Sequence, residues 1–167
     1  MQIKKAQLTD IDNMRKVYDA AKQYMDRNGN PNQWQKGHPP REVLEEDIAL
    51  ERLYVCEEED KTCGVFMFAI MDDVTYHVIE DGVWKNDEPY GVIHRIASDG
   101  TVKGVFTTAL NYAKEQVKKE GLQNLRIDTH HDNKTMQHVV TKHGFERCGI
   151  IYLENGSPRI AYQLILR

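Results

Sequence analysis

One segment of the chain constrains the fold more than any other, because it passes from a strand pattern to a helix pattern across one short turn. Gly91–Ser98 (GVIHRIAS) is rich in valine and isoleucine and predicts a strand. Thr101–Lys119 carries apolar residues at helical spacing and predicts an amphipathic helix. The junction holds Gly100 and Gly104. Such a junction either binds an anion at the first helical amides or simply connects the two elements.

The glycine spacing at this junction matches neither G-x-x-x-x-G-K-[ST] nor G-x-G-x-x-G, so the junction contains neither of these established phosphate-binding motifs. The predicted apolar stripe of the helix includes Phe106, which we expect to point into the core. The junction by itself therefore leaves both interpretations open.

The remaining pattern mixes hairpins with strand–helix–strand units, which predicts an α+β fold or a mixed α/β sheet. Helices are expected from a Thr9 N-cap with Asp12 as its capping-box partner, and over Arg41 to about Leu50. A further helix is expected to be capped by Asp132 or Asn133. Further strands are expected at Gln2–Lys5, Arg52–Cys56, Cys63–Ile70, Leu122–Thr129, Phe145–Leu153 and Arg159–Leu166. Asp72–Pro89 fits either a strand or an excursion.

Length and charge exclude several classes of protein. The 167 residues are expected to form a single domain, residues 1–167. A net charge of −4 argues against nucleic acid and anionic membranes as partners. No apolar run reaches the ~18 residues of a membrane helix, so no membrane span is predicted. The N-terminus lacks an apolar signal core, which argues against export. Three cysteines, an odd number, are expected to be free thiols in a cytoplasmic protein. The acidic runs Glu45–Asp47 and Glu57–Asp60 are expected to be solvated.

Three stretches, in this order and spacing, resemble a known superfamily. They are HRIASDGTVKGVF (His94–Phe106), LRIDTHHDN (Leu125–Asn133) and KHGFERCGI (Lys142–Ile150). Together they make the chain similar to the GNAT N-acetyltransferase superfamily over nearly its whole length. The resemblance implies an α+β fold with a mixed, mostly antiparallel sheet flanked by helices. In that sheet the parallel strands Gly91–Ser98 and Leu122–Thr129 would splay apart.

The resemblance also implies acetyl-CoA as co-substrate. Its pantetheine arm would lie along the backbone of Ile96, Ala97 and Ser98, and Asn133 would hydrogen-bond the cofactor. The pyrophosphate would bind the backbone amides of Lys103, Gly104, Val105, Phe106, Thr107 and Thr108.

The chain departs from the family pattern at two places. The usual motif, Gln/Arg-x-x-Gly-x-Gly/Ala, falls on Lys103–Thr108, where Phe106 replaces the central glycine and Thr108 replaces the last small residue. Val140 occupies the position of the usual thiolate-protonating tyrosine. These departures motivate an alternative hypothesis, a catalytically weak or inactive GNAT-like domain that binds a CoA thioester or a protein partner. An unrelated nucleotide-binding α/β domain is a third hypothesis.

Acetyl transfer to an amine needs a base, an oxyanion donor and an acid for the leaving thiolate. Asp128 is the candidate base, with a solvent-facing carboxylate as the structural alternative. His94 is a second candidate base, unless it is only a hydrogen-bonded sheet histidine. Tyr152 or Cys148 is the candidate acid, and a water molecule could replace either. The alternative for both side chains is that they only pack in the core. A backbone amide near Ala97 would donate a hydrogen bond to the oxyanion.

The acceptor is predicted to be the primary amine of a small molecule, attacking acetyl-CoA directly in a ternary complex. An aromatic wall suits an amine, although Trp34 could equally anchor its loop. His130 and His131 are expected to point to opposite faces of an extended chain, so no metal site is predicted. The sequence is compatible with a homodimer that pairs through the last two predicted strands. The candidate acceptor-lining residues are Trp34, Tyr76, His77, Trp84 and His130.

Overall fold

The computed structural model describes residues 1–167 and contains seven strands and four α-helices. The helices are α1 Ile11–Arg27, α2 Arg41–Ala49, α3 Val105–Lys119 and α4 Lys134–Lys142. The strands are β1 Gln2–Lys5, β2 Leu53–Glu58, β3 Lys61–Ile70, β4 Tyr90–Ser98, β5 Asn124–Thr129, β6 Glu146–Tyr152 and β7 Pro158–Ile165. No helix combines the length and apolar character needed to span a bilayer.

All seven strands belong to one mixed sheet in the order β1-β2-β3-β4-β5-β7-β6. The β1–β2, β2–β3, β5–β7 and β6–β7 pairs are antiparallel, and β4–β5 is parallel. The parallel register covers only Tyr90–Val92 opposite Asn124–Arg126. This architecture confirms the predicted α+β fold, with its mixed sheet, parallel pair and flanking helices.

The chain divides into two compact units. The first unit comprises Met1–Phe68 and His94–Leu110. Its core is apolar and includes the fully buried side chains of Met14, Leu44 and Phe66. Helix α1 contributes to this core because its apolar residues recur every three to four positions. That the chain is a single domain stays a prediction.

The second unit comprises Ala69–Ile93 and Asn111–Arg167. Leu125, Val140 and Ile151 are fully buried in its core. Its most irregular part is the stretch from residue 72 to residue 89, named here the excursion. The excursion holds a 3-10 turn at Val74–Tyr76 and a single bridge between Glu80 and Ile150. The alternative of a full strand is therefore wrong.

A network of side-chain amides attaches the excursion to the sheet within the second unit. Asn86 Nδ2 donates to Asn124 Oδ1 at 3.0 Å, and Gln163 Nε2 donates to the same oxygen at 2.9 Å. The backbone N–H of Lys85 donates to Gln163 Oε1 at 3.0 Å. Asn124 and Gln163 are each about 1% exposed. These bonds satisfy polar groups that would otherwise be buried without partners.

Two helix starts differ from the prediction. Helix α3 begins at Val105 rather than Thr101, because the Asp99 carboxylate accepts bonds from the N–H and hydroxyl of Thr101 and closes a turn there. Ahead of α1, Gln7 N–H donates to Asp10 Oδ2 at 2.8 Å. The chain thus makes a 3-10 turn before α1, and the expected Thr9 capping box does not form.

Candidate active site

The turn between β4 and α3 lies in the first unit and is ordered by its own polar groups. Ser98 Oγ accepts the N–H of Gly100 at 3.1 Å. The N–H of Asp99 donates to the Cys63 carbonyl at 3.0 Å. Lys103 and Gly104 are exposed. The turn therefore presents a basic side chain and bare backbone at the start of α3.

The space beside Gly104 is open. Its φ is +92°, a left-handed value that favours glycine, and no atom lies within 4 Å of where a Cβ would stand. The first bond of α3 runs from Thr108 N–H to the Gly104 carbonyl at 2.9 Å. Amides in a first helical turn have no intrahelical acceptor, and the helix dipole is positive there. A diphosphate matches that chemistry.

Val105, rather than Phe106, anchors the first turn of α3. Val105 is 4% exposed, whereas Phe106 is only half-buried, so the expectation that Phe106 points into the core is wrong. A Cβ added at Gly64 would lie 2.6 Å from Val105 Cγ1. The close approach of Val105 to strand β3 therefore requires glycine at position 64.

Asp128 lies in β5 of the second unit and is half-buried. Its Oδ2 accepts a hydrogen bond from Tyr76 Oη at 2.7 Å. Tyr76 is 1% exposed, and burial, followed by the charge of Asp128, holds its pKa well above the ordinary value. The phenol therefore stays a neutral donor that fixes the orientation of the carboxylate.

Aromatic side chains hold Tyr76 in place. Trp84 Nε1 donates to the Tyr76 carbonyl at 2.9 Å, and the two ring centroids are 5.1 Å apart. The Arg126 guanidinium lies 4.0 Å from the Trp84 ring centroid and 4.1 Å from that of Tyr90. Tyr76, Trp84 and Asp128 are thus brought together, whereas the sequence singled them out separately.

Two further groups lie in the same unit at the carboxyl end of β5. Arg159 is buried, and its Nη1 donates to Ser157 Oγ at 2.6 Å. Burial lowers the pKa of Arg159, and the Asp128 carboxylate opposes that shift. His130 is 5% exposed, and burial, followed by the positive charge of Arg159, lowers its pKa. A neutral imidazole is favoured beside the guanidinium.

His130 and His131 do not diverge as predicted. Their rings stack with centroids 4.2 Å apart, because β5 ends at Thr129 and the alternation of an extended chain stops there. Donor atoms of His130, His131 and Asp132 lie within 4.8 Å of one another and could hold a metal ion. However, His130 Nδ1 already accepts the Asp132 N–H at 3.0 Å, and the nearby Arg159 disfavours a cation.

The other predicted residues lie in separate places. Trp34 is buried in the first unit, with its ring 5.7 Å from that of Tyr18, as expected of a loop anchor. His94 is half-buried in β4. Tyr152 is 40% exposed, so core packing is wrong for it, and its hydroxyl donates to Glu80 at 3.0 Å.

Three more residues have defined surroundings. Cys148 is buried, in agreement with core packing. Asn133 Oδ1 caps α4 by accepting the Met136 N–H at 2.9 Å, which settles the choice between Asp132 and Asn133 as the cap. His77 is exposed and pairs with Asp72 at 2.8 Å.

The sequence model of the acetyltransferase (GNAT) family matches residues 14–145. The chain belongs to this family. Membership confirms the resemblance found in the sequence and implies acyl-CoA-dependent acetyl transfer, for which the family generally uses acetyl-CoA. No curated protein matches the chain.

Solved structures support the GNAT assignment. A GNAT-family acetyltransferase from Streptococcus agalactiae 2603 is 29% identical, with a TM-score of 0.79 over 99% of this chain and 95% of its own. A protein from Staphylococcus aureus Mu50 is also 29% identical, with a TM-score of 0.74 over 100% of both chains. A ribosomal-protein-alanine N-acetyltransferase from Brucella melitensis shares the fold at 15% identity, with a TM-score of 0.65 over 99% of this chain and 100% of its own.

Proposed function

We propose that this GNAT protein transfers the acetyl group of acetyl-CoA to the primary amine of a small molecule, by direct attack in a ternary complex. The hydrogen bond from Tyr76 to Asp128 is the observation that carries the proposal. It supplies what amine acetylation needs beyond the family fold, a carboxylate oriented to accept a proton.

The acyl donor would bind at the turn between β4 and α3. Its pantetheine arm would pair with the backbone of Ile96, Ala97 and Ser98, and the N–H of Ala97 would donate to the developing oxyanion. The pyrophosphate would bind the backbone amides from Lys103 to Thr108, where the Thr107 and Thr108 hydroxyls add donors. Asn133, whose side-chain oxygen caps α4, would hydrogen-bond the cofactor from the start of that helix.

Asp128 would take the proton from the attacking amine, since an ammonium group has no lone pair with which to attack. His94 is the second candidate for this step. Tyr152 or a water molecule would protonate the leaving thiolate, because the buried Val140 at the usual tyrosine position has no proton to give. The neighbouring Glu80 raises the pKa of Tyr152, which makes its phenol a weaker acid.

The cysteines favour direct attack over an acyl-enzyme intermediate. Burial raises the pKa of Cys56 to about 12, and it also raises the pKa of Cys63 and Cys148. The thiolate is the nucleophilic form of cysteine, so these thiols are poorly suited to attack a thioester at neutral pH.

A second candidate function is binding of a CoA thioester without turnover. Two observations favour it: Phe106 in the first turn of α3 stands where the family has glycine, and Val140 is fully buried where the family has its acid. The backbone donors at the start of α3 do not depend on either residue, so binding would survive the loss of catalysis.

Two assays in sequence test these functions. The first is thermal shift with acetyl-CoA, with ATP and NAD as controls, and we expect stabilisation by acetyl-CoA alone. The second measures thiol release with a panel of small primary amines and with a peptide that begins with alanine. Release with a small amine supports the proposal, and release with the peptide alone overturns the small-molecule acceptor. Stabilisation without any release supports the binder, and no stabilisation overturns both functions.

A further inference from the structure

Strand β4 contains one residue with an unusual backbone conformation. Arg95 has a φ of +50°, although it lies within a strand that runs from Tyr90 to Ser98. Residues other than glycine adopt this left-handed region uncommonly. A single such residue bulges a strand and changes the direction of the backbone groups that follow it. The residues that follow are Ile96, Ala97 and Ser98.

The side chain of Arg95 is held by a buried carboxylate from α2. Arg95 Nε donates to Asp47 Oδ2 at 2.9 Å, and Nη2 donates to Oδ1 at 3.0 Å. Asp47 is 0% exposed, which contradicts the expectation of a solvated side chain at this position, whereas Glu45 and Glu46 of the same acidic run are exposed. A two-point bond of this kind fixes both the position and the plane of the guanidinium.

The main chain of Arg95 is held separately by α1. The hydroxyl of Tyr18, which is 0% exposed, donates to the Arg95 carbonyl at 2.7 Å. Burial raises the pKa of Tyr18 above its ordinary value, so the phenol remains a donor. Two helices of the first unit therefore hold one residue of β4 at both its side chain and its carbonyl.

We propose that Asp47 and Tyr18 are positioning residues for acetyl-CoA: by holding Arg95 in its left-handed conformation, they aim the backbone N–H and C=O groups of Ile96, Ala97 and Ser98 at the acyl donor. This inference rests on the proposed function for its ligand. The clamp itself, Asp47, Tyr18 and Arg95, rests on the distances and burial within the first unit.

The same carboxylate provides a matched control. Arg52 Nε donates to Asp47 Oδ1 at 2.8 Å, and the side chains of Arg52 and Arg95 are 23% and 21% exposed. Arg52 precedes β2 and is not part of β4. Replacing either arginine by alanine removes one cation from the same buried carboxylate, so a merely structural role predicts similar effects of the two changes.

The test compares Arg95→Ala with Arg52→Ala by titration calorimetry of acetyl-CoA and by steady-state kinetics. We expect Kd and KM for acetyl-CoA to rise about tenfold in Arg95→Ala and to stay within about twofold in Arg52→Ala. The kcat at saturation should change less than KM, because the clamp acts on donor binding. Arg95→Gly should recover part of the affinity, since glycine adopts a positive φ without strain. Equal changes in Kd for the two alanine variants would overturn the proposal.

Tyr18→Phe removes only the hydroxyl, and we expect it to raise KM for acetyl-CoA about fivefold while the protein stays folded. Hydrogen–deuterium exchange without ligand separates the clamp from the proposed function. Faster exchange at Ile96–Ser98 in Arg95→Ala, but not in Arg52→Ala, supports the clamp. Equal exchange in the two variants refutes it. If the wild-type protein binds no acetyl-CoA, the proposed function and the ligand part of this inference both fail, and exchange still decides whether the clamp sets the backbone.

Discussion

Asp128→Asn is the substitution that tests the proposed chemistry most directly. Asparagine keeps the shape of the side chain, and its amide oxygen can accept the 2.7 Å hydrogen bond from Tyr76. It cannot take a proton from an amine. The substitution therefore removes the proposed base and leaves the surrounding contacts in place.

Two magnitudes separate catalysis from stability in this variant. Loss of a general base lowers kcat by about 10²- to 10⁴-fold, which corresponds to about 3–5 kcal/mol of barrier. The Tyr76 bond changes from a charged to a neutral acceptor, which lowers the free energy of unfolding by about 1 kcal/mol. For a chain of this length, that loss lowers Tm by about 2–4 °C.

The assay measures thiol release at saturating acetyl-CoA and amine, alongside Tm and the Kd of acetyl-CoA. Asp132→Asn is the control, because that carboxylate lies directly after His130 and His131 and is half-buried, as Asp128 is. We expect the control to keep wild-type kcat to within about threefold, and we expect Kd to be unchanged in both variants. A kcat for Asp128→Asn equal to that of the control would remove Asp128 from the role of base.

Three further predictions, one of them with a matched control substitution, have defined outcomes. Tyr76→Phe should lower the free energy of unfolding by about 1–3 kcal/mol and lower kcat less than Asp128→Asn does, as measured by urea unfolding and thiol release; an unchanged stability would contradict the buried hydrogen bond. Burial lowers the pKa of His130 in the folded protein, so below about pH 6.5 the unfolded chain binds more protons than the folded chain does. The folded protein therefore loses stability as the pH falls from about 6.5 towards the lowered pKa of His130. His130→Asn should therefore lose less Tm than wild type between about pH 7 and pH 5, and parallel Tm curves would refute this. Gly82→Ala would drive a Cβ into a neighbouring backbone carbonyl at a φ of +153° and should lower the free energy of unfolding by about 3 kcal/mol. Gly156→Ala, with open space around it, should lower it by about 1 kcal/mol, and equal losses would argue against the clash.

The helices and strands were predictable where the apolar period was strong. The stripe of α3 buries Ala109, Leu110, Ala113 and Val117, as its spacing indicates. Its start was not predictable from that period, because the turn closed by Asp99 depends on a local side-chain bond. Phe106 fits the stripe but lies at its edge, where Val105 takes the core position instead.

The candidate site was predictable only in part. Asp128 could be named from its place in a motif, but its donor Tyr76 lies 52 residues away in an excursion without a regular pattern. Asp47 sits in an acidic run that reads as solvent-exposed, and only its distant partner Arg95 explains its burial. Such pairings depend on tertiary structure, since local periodicity reports which side of an element is apolar and not which polar groups meet.

The linked side-chain amides of Asn86, Asn124 and Gln163 have a consequence for how this protein can evolve. Each of the three amides hydrogen-bonds to both of the others. Replacing one by an apolar residue therefore removes hydrogen-bond partners from Asn124 or Gln163, which are buried. Substitution at a single one of these positions should be rare among natural relatives, while joint replacement of all three should be tolerated. The excursion and strands β5 and β7 would then diverge as one inherited block.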